Sequence, residues 1–317
     1  NQAPAGSIRF NTDSKKLEVY ILEPVGYGTL PNGIWMEVDS WSPDLMTGGT
    51  RGIWGSRYSH PADSYSNRID YANLDSTGNA IDFGDALNAK TSYAGVSDRT
   101  RGLFAGGYFP GASSPNRIDT IETITISSTG NGADYSDLSQ ARNAHAGASN
   151  STRAVFAGGT SPSTVDTIDY VTIQSTANAV DFGNLTQARH NSSGCSSQSR
   201  AVFAGGANPG NQNTIDYVTI STLGNAADFG DLTVARNGMQ GTGCSNSIRG
   251  IFSAAETPSI LNVMDYITIA TLGNARNFGD LTVARVYAGG CSSSTRAVIG
   301  GGGAPASVNT IDYVQIM

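Results

Sequence analysis

Charge, histidine, cysteine and long apolar runs are all scarce in this chain. Charged residues make up 14% of its 317 residues, against roughly a quarter in ordinary globular proteins. With a formal net charge of -7, the chain lacks the clustered positive patch that phosphate backbones require, so no nucleic-acid partner is expected. No stretch of apolar residues is long enough to span a bilayer and no basic-then-apolar leader is present, so no membrane insertion is expected. The three histidines, His60, His145 and His190, fall in different parts of the chain; a metal or acid–base site needs further ligands converging on them. Nucleophile elbows, HExxH and phosphate loops are absent, and the run Gly300–Gly303 lacks the strand-to-helix context a phosphate loop needs. The sequence therefore predicts a non-enzymatic chain with no catalytic residue, no metal and no cofactor. Helical periodicity is missing too: no segment keeps it for three turns.

What the chain has in abundance is repetition. An arginine opens a short apolar run ending in small residues at Arg51, Arg101, Arg153, Arg200, Arg249 and Arg296, at offsets of 50, 52, 47, 49 and 47 residues. A period that long points to a propeller or a solenoid. The copy from Arg200 to Ser247 reads RAVFAGG, ANPGNQ, NTIDYVTI, STLGN, AADFGDLT and VARNGMQGTGCSNS. Short runs rich in Val, Ile, Phe, Tyr and Thr, bounded by Gly, Asn, Pro and Ser, are strands joined by turns. Each unit then holds four strands: a, ending near GCSS; b, RAVFAGG; c, IDYVTI; and d, ADFGDLT.

A carboxylate in strand c recurs at Asp70, Glu122, Asp169, Asp216, Asp265 and Asp312, in step with the arginines, whereas the strand-d signature appears five times, at Asp82, Asp134, Asp181, Asp228 and Asn277. The fold class predicted is all-β, a six-bladed β-propeller. An open sheet edge invites aggregation, so the sixth blade needs an outer strand from elsewhere, and Ile34–Val38 (IWMEV) is the expected donor. The domain division expected is an N-terminal hairpin element over residues 1–32 and the propeller over residues 33–317.

Features present in every blade serve the repeat. The expected arrangement is one ion pair per blade between the strand-b arginine and the strand-c carboxylate. A second basic ring, Lys90, Arg142, Arg189, Arg236 and Arg285, is expected to pair with the strand-d acids Asp85, Asp137, Asp231 and Asp280, leaving Arg189 freer because Asn184 replaces the acid. Partly exposed pairs of this kind are worth about 0 to 1 kcal/mol each. Cys195, Cys244 and Cys291 share one slot in three successive units, too far apart for disulfides. They are expected to be small buried residues replacing Val96 or Ala148; a three-thiolate metal site on the axis is the alternative, and no histidine shares the slot.

Units differ most in the loops between strands b and c, which share one face with the d-to-a crossovers. The two longest, in blades 1 and 2, carry Tyr58, His60, Tyr65, Tyr108 and Phe109. Loops on a rigid scaffold are favoured binding positions, and aromatic residues suit a protein interface or stacking on a sugar. These five residues are the candidate binding surface.

Residues 4–38 open with two alternating runs, SIRF and KLEVYI, around NTDSKK, a hairpin with turn chemistry at Asn11 to Ser14. The wording GSIRFNTDSKKLEVY followed by GIW resembles a short element of tail-fibre and other virion proteins of tailed bacteriophages, especially those infecting marine cyanobacteria. Across residues 50–317 the alternation of TRAVFAGG, TIDYVTI and DFGDLT resembles a kelch-like propeller in its divergent phage form. The paired-glycine, Tyr and Trp pattern of kelch adaptors is only partly present, which disfavours a ubiquitin-ligase adaptor. The resemblance implies a virion structural protein, of fibre, tail-associated or capsid-decorating type. The partners it implies are other virion proteins, a host cell-surface protein or glycan, and further copies of the chain. A secreted carbohydrate-binding or carbohydrate-active propeller is the alternative.

Overall fold

Alternation within strand b dictates how the blades pack. In RAVFA of blade 4, Val202 and Ala204 face blade 5 with Phe252, Ile267 and Ile269. Ala201 and Phe203 face blade 3 with Val155, Ala157 and Phe182. Both faces are covered by neighbouring blades, so the run is apolar without interruption. Phe156, Phe203 and Phe252 are fully buried, each worth about 1.5 to 3 kcal/mol relative to exposure.

The computed structural model describes residues 3–12, 16–21, 34–38, 50–59 and 64–316, and these form strands and turns without a helix. Blades 2 to 5 are four-stranded antiparallel sheets in the order a, b, c, d; in blade 3 these are Ala146–Ser149, Arg153–Ala157, Thr167–Thr172 and Val180–Asn184. Blade 1 shows strands b, c and d (Arg51–Trp54, Arg68–Asn73, Ile81–Asp85), and blade 6 shows a, b and c (Gly289–Ser292, Arg296–Gly300, Ile311–Gln315). The six blades form a ring, a six-bladed β-propeller. Blade 6 meets blade 1 directly: Trp54 Nε1 donates to the Gly289 carbonyl at 3.0 Å and Arg296 Nη1 to the Leu74 carbonyl at 2.8 Å.

Ile34–Val38 does not fill the outer place in blade 6. It pairs antiparallel with Lys16–Ile21, which pairs with Ile8–Asn11, giving a separate three-stranded sheet. A hairpin close in sequence offers an edge at a smaller entropic cost than one far along the chain, and Trp35 packs on Tyr20 with ring centroids 5.2 Å apart. The chain divides into two compact units, Asn1–Pro43 and Asp44–Met317, so this strand belongs to the first. Asp13 and Ser14 of the expected turn lie outside the described residues.

Strand b ends in a tight turn that only small residues fit. Gly158 and Gly159 have φ of 68° and 101°, and a Cβ on Gly158 would lie 2.5 Å from the Arg189 carbonyl, which is backbone and cannot yield. Next to the axis, strand-a serines knit blade to blade. The Ser196 hydroxyl donates to the Ser149 carbonyl at 2.7 Å and accepts from the Ser149 amide at 3.3 Å. Ser149 repeats both bonds with Ser97, Ser245 with Ser196, and Ser292 with Ser245.

Candidate binding face

The charged rings are structural, but they pair differently from the sequence expectation. Each strand-c carboxylate of blades 2 to 6 meets the basic residue that follows strand d of the preceding blade: Lys90–Glu122 at 2.9 Å, Arg142–Asp169 at 3.0 Å, Arg189–Asp216 at 2.9 Å, Arg236–Asp265 at 3.1 Å and Arg285–Asp312 at 3.3 Å. In blade 1, Arg68 of the same strand meets Asp70 at 2.7 Å. The basic ring therefore does not take the strand-d acids Asp85, Asp137, Asp231 and Asp280, and Arg189 is as firmly held as its equivalents.

Parity explains the correction. Arg153 lies opposite Thr172 and Phe156 opposite Asp169, so the arginine and the carboxylate, three positions apart, point to opposite faces of the sheet. Tyr170, opposite Val155, shares the arginine's face, and Arg153 stacks over its ring at 4.7 Å. Arg51, Arg200, Arg249 and Arg296 stack in the same way on Tyr71, Tyr217, Tyr266 and Tyr313, whereas Arg101 stacks on Tyr135. Most of these guanidiniums also bond the carbonyl just past strand c of the next blade: Arg51 to Ile126, Arg101 to Ile173, Arg153 to Ile220, Arg200 to Ile269 and Arg296 to Leu74. Before five of these arginines, Arg101 to Arg296, an Asn, Asp or Ser three residues earlier fixes the turn; the Asn150 carboxamide oxygen, for example, accepts from the amides of Thr152 and Arg153.

In blades 2 to 5 the carboxylate pairs are buried, not partly exposed. Arg189 and Asp216 side chains are both at 0% exposure. Arg189 also donates to the Phe203 and Thr214 carbonyls, and Thr186 donates its hydroxyl and amide to Asp216. Burial lowers the proton affinity of Arg142, Arg189, Arg236 and Arg285, and the paired carboxylate offsets part of that. Such a pair is weak evidence of net stability, yet removing one partner strands a buried charge.

The d-to-a crossovers and the b-to-c loops do emerge together: the bridges Thr91–Tyr108, Asn143–Thr160, His190–Ala207, Asn237–Glu256 and Val286–Gly303 join them in successive blades. On this face blade 1 extends a hairpin, Arg57–Ser59 paired with Ser64–Ser66, in which Tyr58 lies directly opposite Tyr65. Their ring centroids are 5.0 Å apart, and Tyr65 lies 6.2 Å from Tyr108 of blade 2. Three of the five candidate residues thus converge across a blade junction. Tyr58 is exposed, and Tyr65 and Tyr108 are half-buried. Phe109 packs instead over Gly111 of its own loop, where a Cβ would come within 2.5 Å of the ring. His60 lies outside the described residues.

Burial, not chemistry, governs the remaining candidates. His145 is fully buried, and desolvation, with Arg142 and Lys90 nearby, holds its imidazole well below the usual histidine range. His190, offset from it by two positions in the repeat, is half-buried and shares a 3.2 Å hydrogen bond with Thr164. Cys195, Cys244 and Cys291 are free, and burial pushes the Cys291 thiol up to about 12. Among the described residues, no group of three or more His, Cys, Asp or Glu is placed to hold a metal ion. Sequence reading missed Gln240. Its side chain donates at 3.1 Å to the Tyr93 carbonyl, from the blade 5 crossover to that of blade 2, on the opposite side of the ring.

No protein-family model matches the chain, and no curated protein matches it either.

Proposed function

We propose that the chain is a non-enzymatic structural component of a tailed-bacteriophage particle, of fibre, tail-associated or capsid-decorating type. In this reading the N-terminal unit attaches to the particle, and the propeller presents its b-to-c loop face to a partner protein or to the host surface. The observation that carries the recognition role is the Tyr58, Tyr65 and Tyr108 cluster, three neighbouring aromatic rings contributed by two blades on a face built of variable loops. Attachment draws support from the N-terminal sheet. Arg9, Glu18, Tyr20 and Trp35 interact on one face, while Ile8 and Phe10 on the other are 65% and 58% exposed. An apolar pair displayed in that way suits a protein contact.

Negative-stain imaging of the source particle with an antibody against this chain tests the proposal. Label at a fixed place on the particle is expected; particles without label would overturn it. The second reading, a carbohydrate-binding propeller, draws on the same tyrosine cluster, because such rings stack on sugars. A glycan array separates the two, since selective glycan binding by a chain absent from particles would favour the second.

A further inference from the structure

We propose that the mouth of the ring on the loop face binds a neutral sugar, with Tyr287 as the surface on which the pyranose stacks and Glu256 as the acceptor of its hydroxyls. The site is separate from the Tyr58, Tyr65 and Tyr108 cluster, and the backbone is what marks it. Each d-to-a crossover turns into the inner strand through one residue in the left-handed region: Ser92, Ala144, Asn191, Gly238 and Tyr287, with φ between 54° and 71°. Main-chain bonds link these turns from blade to blade around the axis. The Ala144 amide donates to the Ser92 carbonyl and the Asn191 amide to the Ala144 carbonyl, each at 2.8 Å, the Met239 amide to the Asn191 carbonyl at 3.2 Å, and the Tyr287 amide to the Gly238 carbonyl at 2.9 Å. One residue further in, the Gln240 carboxamide reaches the Tyr93 carbonyl across the ring, which gives the mouth a floor.

Tyr287 is the exception in this ring. Gly238 and Asn191 are residues that the left-handed region favours, and Ser92 and Ala144 are small; a bulky side chain at such a φ is an outlier under strain. The Tyr287 side chain is 51% exposed, so packing offsets little of that strain. Strain kept at an exposed aromatic residue points to a contact made outside the fold.

Polar groups gather beside it. Partial burial and then the Glu256 carboxylate push the Tyr287 phenol above its ordinary range, and a Cβ on Gly238 would lie 3.6 Å from the Glu256 Cγ, so the carboxylate belongs to the mouth. Glu256 and Asn237 exchange main-chain bonds at 2.9 and 3.1 Å, and the Asn237 side chain donates to the Asn211 carboxamide oxygen at 2.5 Å. An aromatic face beside a carboxylate and two carboxamides suits a sugar: the C–H face of a pyranose stacks on the ring, while its hydroxyls donate to the carboxylate and accept from amide N–H groups. The carboxylate repels an anion, which selects for an uncharged ring.

The test is titration of the full chain with the methyl glycosides of mannose, galactose and glucose, followed by NMR. Saturable binding of at least one is expected. Tyr287→Asn, which supplies the residue found at this place in blade 4 as Asn191, is expected to weaken that binding at least about tenfold, while the melting midpoint stays level or rises by a few degrees as the strain is relieved. Glu256→Gln keeps the size of the side chain without its charge, and is expected to weaken binding about tenfold. The variant with Tyr58, Tyr65 and Tyr108 all changed to Ser is expected to bind the sugar as the parent does. No saturable binding of any of the three, parental binding by Tyr287→Asn, a midpoint that this change lowers, or loss of binding in the triple variant would each overturn the proposal. None of these results depends on the chain belonging to a particle.

Discussion

The wedge between blades and the loop face are built from the same repeats, yet one is copied almost residue by residue and the other is not. Between blades, five cation–carboxylate pairs, four of them fully buried, a serine ladder and the strand-b arginines recur with nearly the same partners. On the loop face, blade 1 extends a hairpin bearing two stacked tyrosines, blade 3 a ribbon of two-residue strands, and blade 4 no ribbon at all. The wedge must satisfy polar groups out of reach of water, so its geometry tolerates few substitutions. Loops at the rim carry no such demand. The difference separates what holds the ring together from what is free to recognise a partner.

The wedge breaks most sharply at an ion pair. Asp216→Ala leaves the Arg189 guanidinium buried without its carboxylate and is expected to destabilise the fold by about 3 to 5 kcal/mol. Denaturant unfolding measures this. The double variant Arg189→Met with Asp216→Leu is expected to recover most of the loss, since both charges leave together.

Acidification probes the same wedge at His145. Its folded pKa is depressed below the unfolded value of 6.5, so the unfolded chain binds the proton that the folded chain refuses. Stability from this group is present above that pH and is lost as the pH falls, by about 1.4 kcal/mol for each unit below it. His145→Met, the residue found at the same offset in blade 5 as Met239, is expected to remove that component of the pH dependence. Unfolding curves of the two proteins between pH 7 and 5 decide the matter.

A smaller loss is expected at the strand-b arginines. Arg153→Ala removes a stack on Tyr170 and a 2.8 Å bond to the Ile220 carbonyl, and about 1 to 2 kcal/mol should go with them. Arg153→Lys keeps the charge but not the planar stack, and is expected to restore only part. Unfolding midpoints of the two variants check the order.

Much of the ring was legible because strand and turn signals are local. The alternation in RAVFA, the carboxylate of TIDYVT and the turn residues give the strands, their order and the shared face of the b-to-c loops and d-to-a crossovers. Pairing across blades is not local, and there the reading erred. Counting arginines and carboxylates suggested that Arg153 meets Asp169, although the strand period of two already places them on opposite faces. Ser97, Ser149, Ser196, Ser245 and Ser292 stand one residue after the Val96, Ala148 and cysteine slot, a regularity visible in sequence, but its meaning depends on how closely the inner strands approach. Gln240 also leaves a trace: from Arg236 to Cys244 the crossover is two residues longer than from Arg189 to Cys195. The place of Ile34–Val38 was misjudged because its sequence fits either edge, and only the pairing with Lys16–Ile21 distinguishes them.

The loop face should show the reverse behaviour, with the least effect on stability and the greatest on recognition. Replacing Tyr58, Tyr65 and Tyr108 together with Ser changes residues of the rim and spares every buried pair, so the unfolding midpoint should stay within a few degrees of the parent. For the proposed particle role, adsorption to the host of particles carrying the variant, alongside binding of the purified chain to particle proteins, is the direct measurement. The account predicts that at least one of these falls about tenfold or more while the fold is retained; a stable variant with both unchanged would contradict it.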